Sequence, residues 1–284
     1  MEQLITTDLQ LRRIIPSLME TVEGEATVLD RLAPFLNRRQ AWLETYVTGS
    51  DDLPAPESWR PLARRVVALE AFADAAPSLD LVLSPNGFGV VSTSELAPAS
   101  KERVERLISS LRDDAVNSLD ALVQALHHIP EWAGSVPGRR FCSTLVRNIS
   151  DVRRWHRSGE ILDTFDRAAG LARRFEELAA AEYFGTGLME LMLAYARGVR
   201  TGDIIDDECS LLLPLLADAE ARWIDFRMRD QRLKCPDSHD IWHLIEPVML
   251  RVRKSPRIFD EIWHPEMGDA GPEFDNDVPG AFYF

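Results

Sequence analysis

The sequence predicts an all-α protein, a mainly helical bundle, with one small β-hairpin near residues 80–92. Apolar residues recur at steps of three and four over most of the chain, which is the period of an amphipathic helix. Proline and glycine separate these segments. The stretch LVLSPNGFGVVS, residues 81–92, differs because two short apolar runs meet at Pro85-Asn86-Gly87, a pattern typical of a hairpin.

Three helices are expected before the hairpin. Thr6 or Thr7 is a candidate N-cap for the first helix. The second is expected over about residues 26–47, with Pro34 kinking or dividing it. A turn-rich linker, GSDDLPAPES, follows, and Trp59-Arg60-Pro61 opens the third helix.

The hairpin has two interpretations that the sequence leaves open. Asn86 and Gly87 tolerate positive φ at a turn, and Gly89 allows a bulge or a close backbone approach. A two-stranded hairpin is marginally stable alone, so it packs either on its own helices, through Phe88 and Val90, or on another copy.

The fourth helix is the most strongly amphipathic segment, beginning at Pro98 and Ser100 and ending near His128. Residues 131–140, EWAGSVPGRR, interrupt the helical pattern and are the predicted domain boundary. Further helices are expected over the second half, at about residues 143–156, 159–182, 186–197, 206–230 and 238–254.

We therefore expect three regions. Residues 1–130 form a helical domain that carries the hairpin, and residues 141–264 form a second helical domain, either added or duplicated. Residues 265–284 form an acidic tail ending in three aromatic residues that suit docking into a groove. The predicted contact residues are Leu83, Pro85, Asn86, Gly87, Phe88, Gly89, Val90 and Val91 in the hairpin, and Phe282, Tyr283 and Phe284 in the tail.

Net charge limits the functional classes. A net charge of −14 argues against a surface that grips nucleic acid, which needs clustered Lys and Arg. Passive proximity to DNA stays open, because an acidic wall repels phosphates and lets a duplex slide past.

Cysteine content and hydropathy bear on location. Three widely spaced cysteines give no disulfide framework and favour a reducing compartment. We see no signal peptide or membrane span, so we expect a protein that is cytoplasmic during assembly, and that becomes a virion component if it belongs to a phage particle.

One segment has the residue types of a metal site. His239 and His243 lie four residues apart, on one face of a helix, and Cys235 offers a soft third ligand. The Glu that follows the first histidine in zinc metalloproteases is absent, since Asp240 stands there. The alternative is an ordinary helix start capped by Asp237 or Ser238, and we predict no cofactor.

Residues 79–111, LDLVLSPNGFGVVSTSELAPASKERVERLISSL, with the preceding VVALEAFADAAP, resemble an uncharacterised family encoded by prophages of gut anaerobes. In that family a helix rich in Ala and Glu leads into L-x-P-x-G-F-G-V-V-S and then A-P-A-S-K-x-R-V-x-R-L. Such proteins are similar to the head–tail connectors of tailed phages, adaptor proteins that form a ring beneath the portal. This chain is about twice the usual adaptor length, and no catalytic residues carry over.

The resemblance implies a non-enzymatic structural protein of a phage or prophage particle. Its expected partners are further copies of itself, in a ring, and portal and tail proteins. A ring needs two different patches on each copy, and a protruding hairpin suits one of them. The alternatives are a metal-binding helical protein or metallo-hydrolase centred on Cys235, His239 and His243, and a helical binding protein of unknown partner.

Overall fold

Helices dominate the computed structural model of the chain, which confirms the all-α class. It describes residues 3–15, 27–49, 52–78, 81–84, 87–90, 101–157, 159–202, 204–229, 241–255, 257–258 and 262. The α-helices are α1 (Asp8–Ile14), α2 (Val28–Leu43), α3 (Pro56–Ala75), α4 (Lys101–Leu126), α5 (Pro130–Gly134), α6 (Val136–Cys142), α7 (Ile149–Val152), α8 (Ile161–Ala179), α9 (Thr186–Ala196), α10 (Ile204–Arg229) and α11 (Trp242–Val252). Two strands, β1 (Leu81–Ser84) and β2 (Gly87–Val90), pair antiparallel.

The chain divides into two compact units, Met1–Ala169 and Gly170–Phe284, and the division falls within α8. The predicted boundary at residues 131–140 lies instead inside the first unit. Trp132 and Phe141 are fully buried there, and the indole N–H of Trp132 donates to the Val47 carbonyl at 2.6 Å. Gly134 ends α5, whereas Pro137 and Gly138 lie within α6, and the segment does not form a linker because its aromatic residues belong to the core.

The first unit is built around α3, which packs against α1, α2 and α4. Alanine and valine fill most of its buried positions, so neighbouring helices approach on several sides. The helix begins at Pro56, which needs no backbone N–H at a first helical position. It therefore starts one turn earlier than predicted, and Pro61 lies inside it.

Two other predicted boundaries differ from the structure. Helix α2 runs through Pro34 undivided, and that proline is exposed. The predicted helix at residues 143–156 is absent over residues 143–148, and α6 ends before it. The Asn148 side chain forms a capping box with Asp151, which starts the short α7 there.

The second unit has α10 at its centre, packed on α9 and α11. Trp223 of α10 is buried against Phe175, with ring centroids 5.8 Å apart. Buried Glu208 accepts a hydrogen bond from the backbone N–H of Ile258 at 3.0 Å. No helix in the described part of the chain is long and apolar enough to cross a membrane.

Candidate functional site

Along the chain, the hairpin follows α3 and precedes α4. These two helices form the most extensive helix pair of the first unit. Its register pairs Leu81 with Val90 and Ser84 with Gly87. Gly87 therefore lies in β2 rather than in the turn, and Gly89 pairs with Val82 without a bulge. Within the described residues, β1 and β2 pair only with each other, so each has an unpaired backbone edge.

The start of α4 extends past the end of α3. The Arg65 guanidinium donates to the Ser118 hydroxyl at 3.1 Å, which fixes the register of the α3–α4 pair. At equal rise per residue, the last residue of α3 lies level with about residue 108. Lys101 through about Leu107 therefore project beyond α3, and the first buried residue of α4 is Leu111.

We call the hairpin and residues 101–110 together the arm. Its helical part carries Val104, Leu107 and Ile108 on one side, and all three are only partly buried. The exposed side carries two ion pairs, Lys101–Glu105 at 3.8 Å and Glu102–Arg106 at 2.8 Å. Such exposed pairs contribute little stability.

The other predicted site residues are mostly outside the described residues. Pro85, Asn86 and Val91 lie there, as do Cys235, His239 and the tail residues Phe282, Tyr283 and Phe284. His243 is described and is exposed on α11. In the described part of the chain, no group of three or more His, Cys, Asp or Glu residues is arranged to hold a metal ion.

An ion cluster that the sequence reading missed joins α2 to α3. The Arg39 guanidinium donates to both carboxylate oxygens of Asp74, from Nε at 2.7 Å and from Nη2 at 2.9 Å. It also reaches Glu160 at 3.1 Å and Glu70 at 3.3 Å. The detectable signal was Glu70 and Asp74 four residues apart in the second half of α3, residues 66–75, which is otherwise apolar.

Charge and burial act differently on the two α3 carboxyls. Burial raises the pKa of Glu70, and the nearby Arg39 opposes this only in part. Burial also acts on Asp74, but hydrogen bonds from Arg39 and Arg38 outweigh it and lower the pKa of that carboxyl. The cluster thus stabilises the ionised form of Asp74 more strongly than that of Glu70.

A cavity of about 220 Å³ opens beside this cluster, lined in part by Trp42, Glu70, Arg112 and His156. Small-molecule sites usually occupy about 300–1,000 Å³, so this cavity is small for one. Arg39, its most buried cation, is already bound to three carboxylates. The Arg39 contacts therefore join α2 to α3 and to Glu160.

His127 and Cys142 form a second buried polar pair, with Nδ1 and Sγ 3.5 Å apart. The ring Nε2 lies 3.2 Å from the Arg147 carbonyl and donates to it, which leaves Nδ1 to accept from Arg147 Nη2 at 3.1 Å. Burial and the Arg147 charge lower the pKa of His127 to about 4. A thiolate–imidazolium pair needs the opposite, a protonated ring, whereas the Arg147 contacts hold this imidazole in its neutral form.

Residues 27–142 match a family of unknown function (DUF6712). The match covers less than half of the chain and contains α2 through α6, including the arm. No curated protein and no solved structure matches the chain.

Proposed function

We propose that this protein is a non-enzymatic structural subunit of a phage or prophage particle, similar to a head–tail connector, that assembles into a ring through the arm. The observation that carries the proposal is the arm itself, which has unpaired strand edges and partly buried apolar residues beyond the end of α3. Unpaired edges and incompletely covered apolar residues are what a neighbouring subunit covers.

Charge favours contact between the arm and a different patch of the next copy. The first six residues of α4 contain three basic and two acidic side chains, whereas the whole chain carries −14. A locally basic arm is attracted to acidic surface elsewhere on a neighbour. Contact between two unlike patches continues from copy to copy, and it closes into a ring when the rotation between neighbouring copies divides a full turn.

An acidic subunit also suits a ring through which DNA passes. The net charge of −14 repels phosphates from the wall of a channel, so a duplex passes without binding. Portal and tail proteins are the partners that this role implies. A structural role agrees with the polar clusters of the first unit, whose charged groups bind each other.

The test compares assembly and stability in matched variants. Val104→Asp and Phe88→Ala alter the arm, and Val136→Asp places the same charge at an exposed valine of α6. Assembly is measured by analytical ultracentrifugation and negative-stain microscopy of the full chain, alone and mixed with portal protein. We expect ring-sized particles for the wild type and Val136→Asp.

The arm variants should lose those particles while their thermal unfolding midpoints stay within about 3 °C of wild type, since Val104 is only partly buried and precedes the first buried residue of α4, Leu111. Two results would overturn the proposal. One is a wild-type protein that stays no larger than a dimer both alone and when mixed with portal protein. The other is unfolding of the arm variants, which would show that the arm belongs to the core of its own chain.

A further inference from the structure

Helix α10 in the second unit exposes three large apolar side chains on one face. Leu211 is 51% exposed, Leu215 37% and Phe226 53%. Their spacings of four and eleven residues correspond to about one and three helical turns, so they form a single stripe. The opposite face, which includes Leu212, Leu216 and Trp223, is buried in the second unit.

Charged residues complete this face. Asp207 lies in the first turn and Arg229 in the last, and an Asp218–Arg222 ion pair of 2.9 Å lies between them. Arg229 also pairs with Asp225 at 2.8 Å. We call the face the α10 stripe, and its members are Asp207, Leu211, Leu215, Asp218, Arg222, Phe226 and Arg229.

The order of residues along the stripe is self-complementary in one orientation. If two copies of α10 lie antiparallel about an axis next to Asp218, Leu211 of each faces Phe226 of the other. Leu215 then lies beside the aliphatic part of Arg222, which packs well against apolar surface. Asp207 comes within reach of Arg229 at both ends of a contact about 33 Å long.

The charges select this orientation over the parallel one. A parallel pair would place Asp207 against Asp207 and Arg229 against Arg229, which repel. The antiparallel pair places the acidic start of each helix against the basic end of the other and also aligns the helix dipoles favourably. A partner with the same stripe thus matches the apolar positions and the charges at both ends of the contact. The two Asp218 carboxylates meet near the axis, where each is paired with Arg222 of its own helix at 2.9 Å.

We propose that the α10 stripe is a two-fold contact surface for a second copy of this chain. Both copies use the same patch, so the contact is complete after two chains, unlike an arm contact that continues around a ring. It lies in the second unit, outside the region matched by the family, and needs neither portal nor ring.

Charge reversal gives the sharpest test, with sedimentation equilibrium of the full chain as the measurement. Asp207→Arg creates Arg–Arg pairs at both ends, and we expect its dimer dissociation constant to rise about tenfold. Arg229→Asp should have a similar effect. The double variant Asp207→Arg/Arg229→Asp restores both pairs in reversed order and should return to within about threefold of wild type.

Phe226→Asp tests the apolar part and should raise the dissociation constant at least about tenfold. Glu190→Arg, an exposed reversal on α9, is the matched control and should leave it unchanged. Each variant is measured also with Val104→Asp, so that any arm contact is removed. A monomer at about 200 µM, or a double variant that dimerises no better than the single reversals, would overturn the proposal, as would dimers that resist Phe226→Asp.

Discussion

His127 shows how one residue makes the fold sensitive to acid. Its neutral ring donates to the Arg147 carbonyl and accepts through Nδ1, an arrangement that a second ring proton would break. The pKa of about 4 in the folded protein lies below the value near 6.5 of an unfolded chain. Between these pH values the unfolded chain binds a proton that the folded chain does not, so stability falls as the pH falls through this window.

We predict that His127→Gln reduces the acid sensitivity of folding. Glutamine can donate to Arg147 and accept from it without titrating, so the variant should lose less stability than wild type between pH 7 and pH 5. The expected difference is roughly 1 kcal/mol after screening by solvent, measured by urea unfolding at both pH values. His128→Gln changes the exposed neighbour, and an equal effect there would contradict the role of His127.

The ion cluster at Arg39 shows that residue type alone does not determine the pKa of a carboxyl group. Glu70 and Asp74 have the same chemistry and lie on one helix, yet their pKa values shift in opposite directions. Glu70 is surrounded by more of the protein than Asp74, and Asp74 alone accepts hydrogen bonds from both Arg38 and Arg39. A sequence contains the residue types but not these distances.

At the scale of elements, α5 and α6 depend on a close backbone approach. Gly138 of α6 lies so near the Trp132 carbonyl that a Cβ built on it would be 1.7 Å from the carbonyl oxygen. Ser135 caps α6 by accepting from the Gly138 N–H at 3.0 Å. The tight turn between the helices buries Trp132 and Phe141 together, with ring centroids 5.8 Å apart.

We predict that Gly138→Ala destabilises the first unit by about 3 kcal/mol or more, because backbone atoms and not a flexible side chain must move. Gly134→Ala is the matched control, since a Cβ there meets nothing within 4 Å. It should be neutral or stabilising by up to about 1 kcal/mol. The measurement is the thermal unfolding midpoint, and equal midpoints for the two variants would show that the contact at Gly138 relaxes cheaply.

Helix boundaries were easiest to predict where the apolar residues recur most regularly along the sequence. Helices α8, α9 and α10 were expected within about two residues of their ends, because long amphipathic segments specify their own boundaries. Thr7 caps α1 as predicted, accepting from the Gln10 N–H at 3.3 Å. The region from Pro130 to Trp155 was misread, since its short helices are set by caps and aromatic packing.

At the scale of the whole molecule, net charge sets which macromolecules the protein avoids. Because the net charge is −14, we expect little of the counterion release that drives non-specific DNA binding. We predict no shift of a 30-base-pair duplex in a gel assay at about 50 mM salt, with protein up to about 10 µM. A shift that weakens as salt rises would contradict both this expectation and the passive channel wall.

The two proposed contacts also belong to this scale, and they lie in different units. The arm is in the first unit and presents unlike patches, whereas the α10 stripe is in the second and presents like ones. Variants in one contact therefore leave the other intact, which makes the two tests independent. The aromatic tail lies outside the described residues and enters neither proposal.

The sequence by itself determined the helical class, most long helices and the acidic character, because periodicity and charge are local properties of the chain. Only the tertiary structure decided that residues 131–140 belong to a core, that Arg39 bridges three carboxylates and that, among the described residues, one face of α10 carries exposed apolar side chains. Each of these depends on which distant segments pack together. Spacing along one segment shows an apolar or charged face, but the partner that covers it is fixed by long-range contacts.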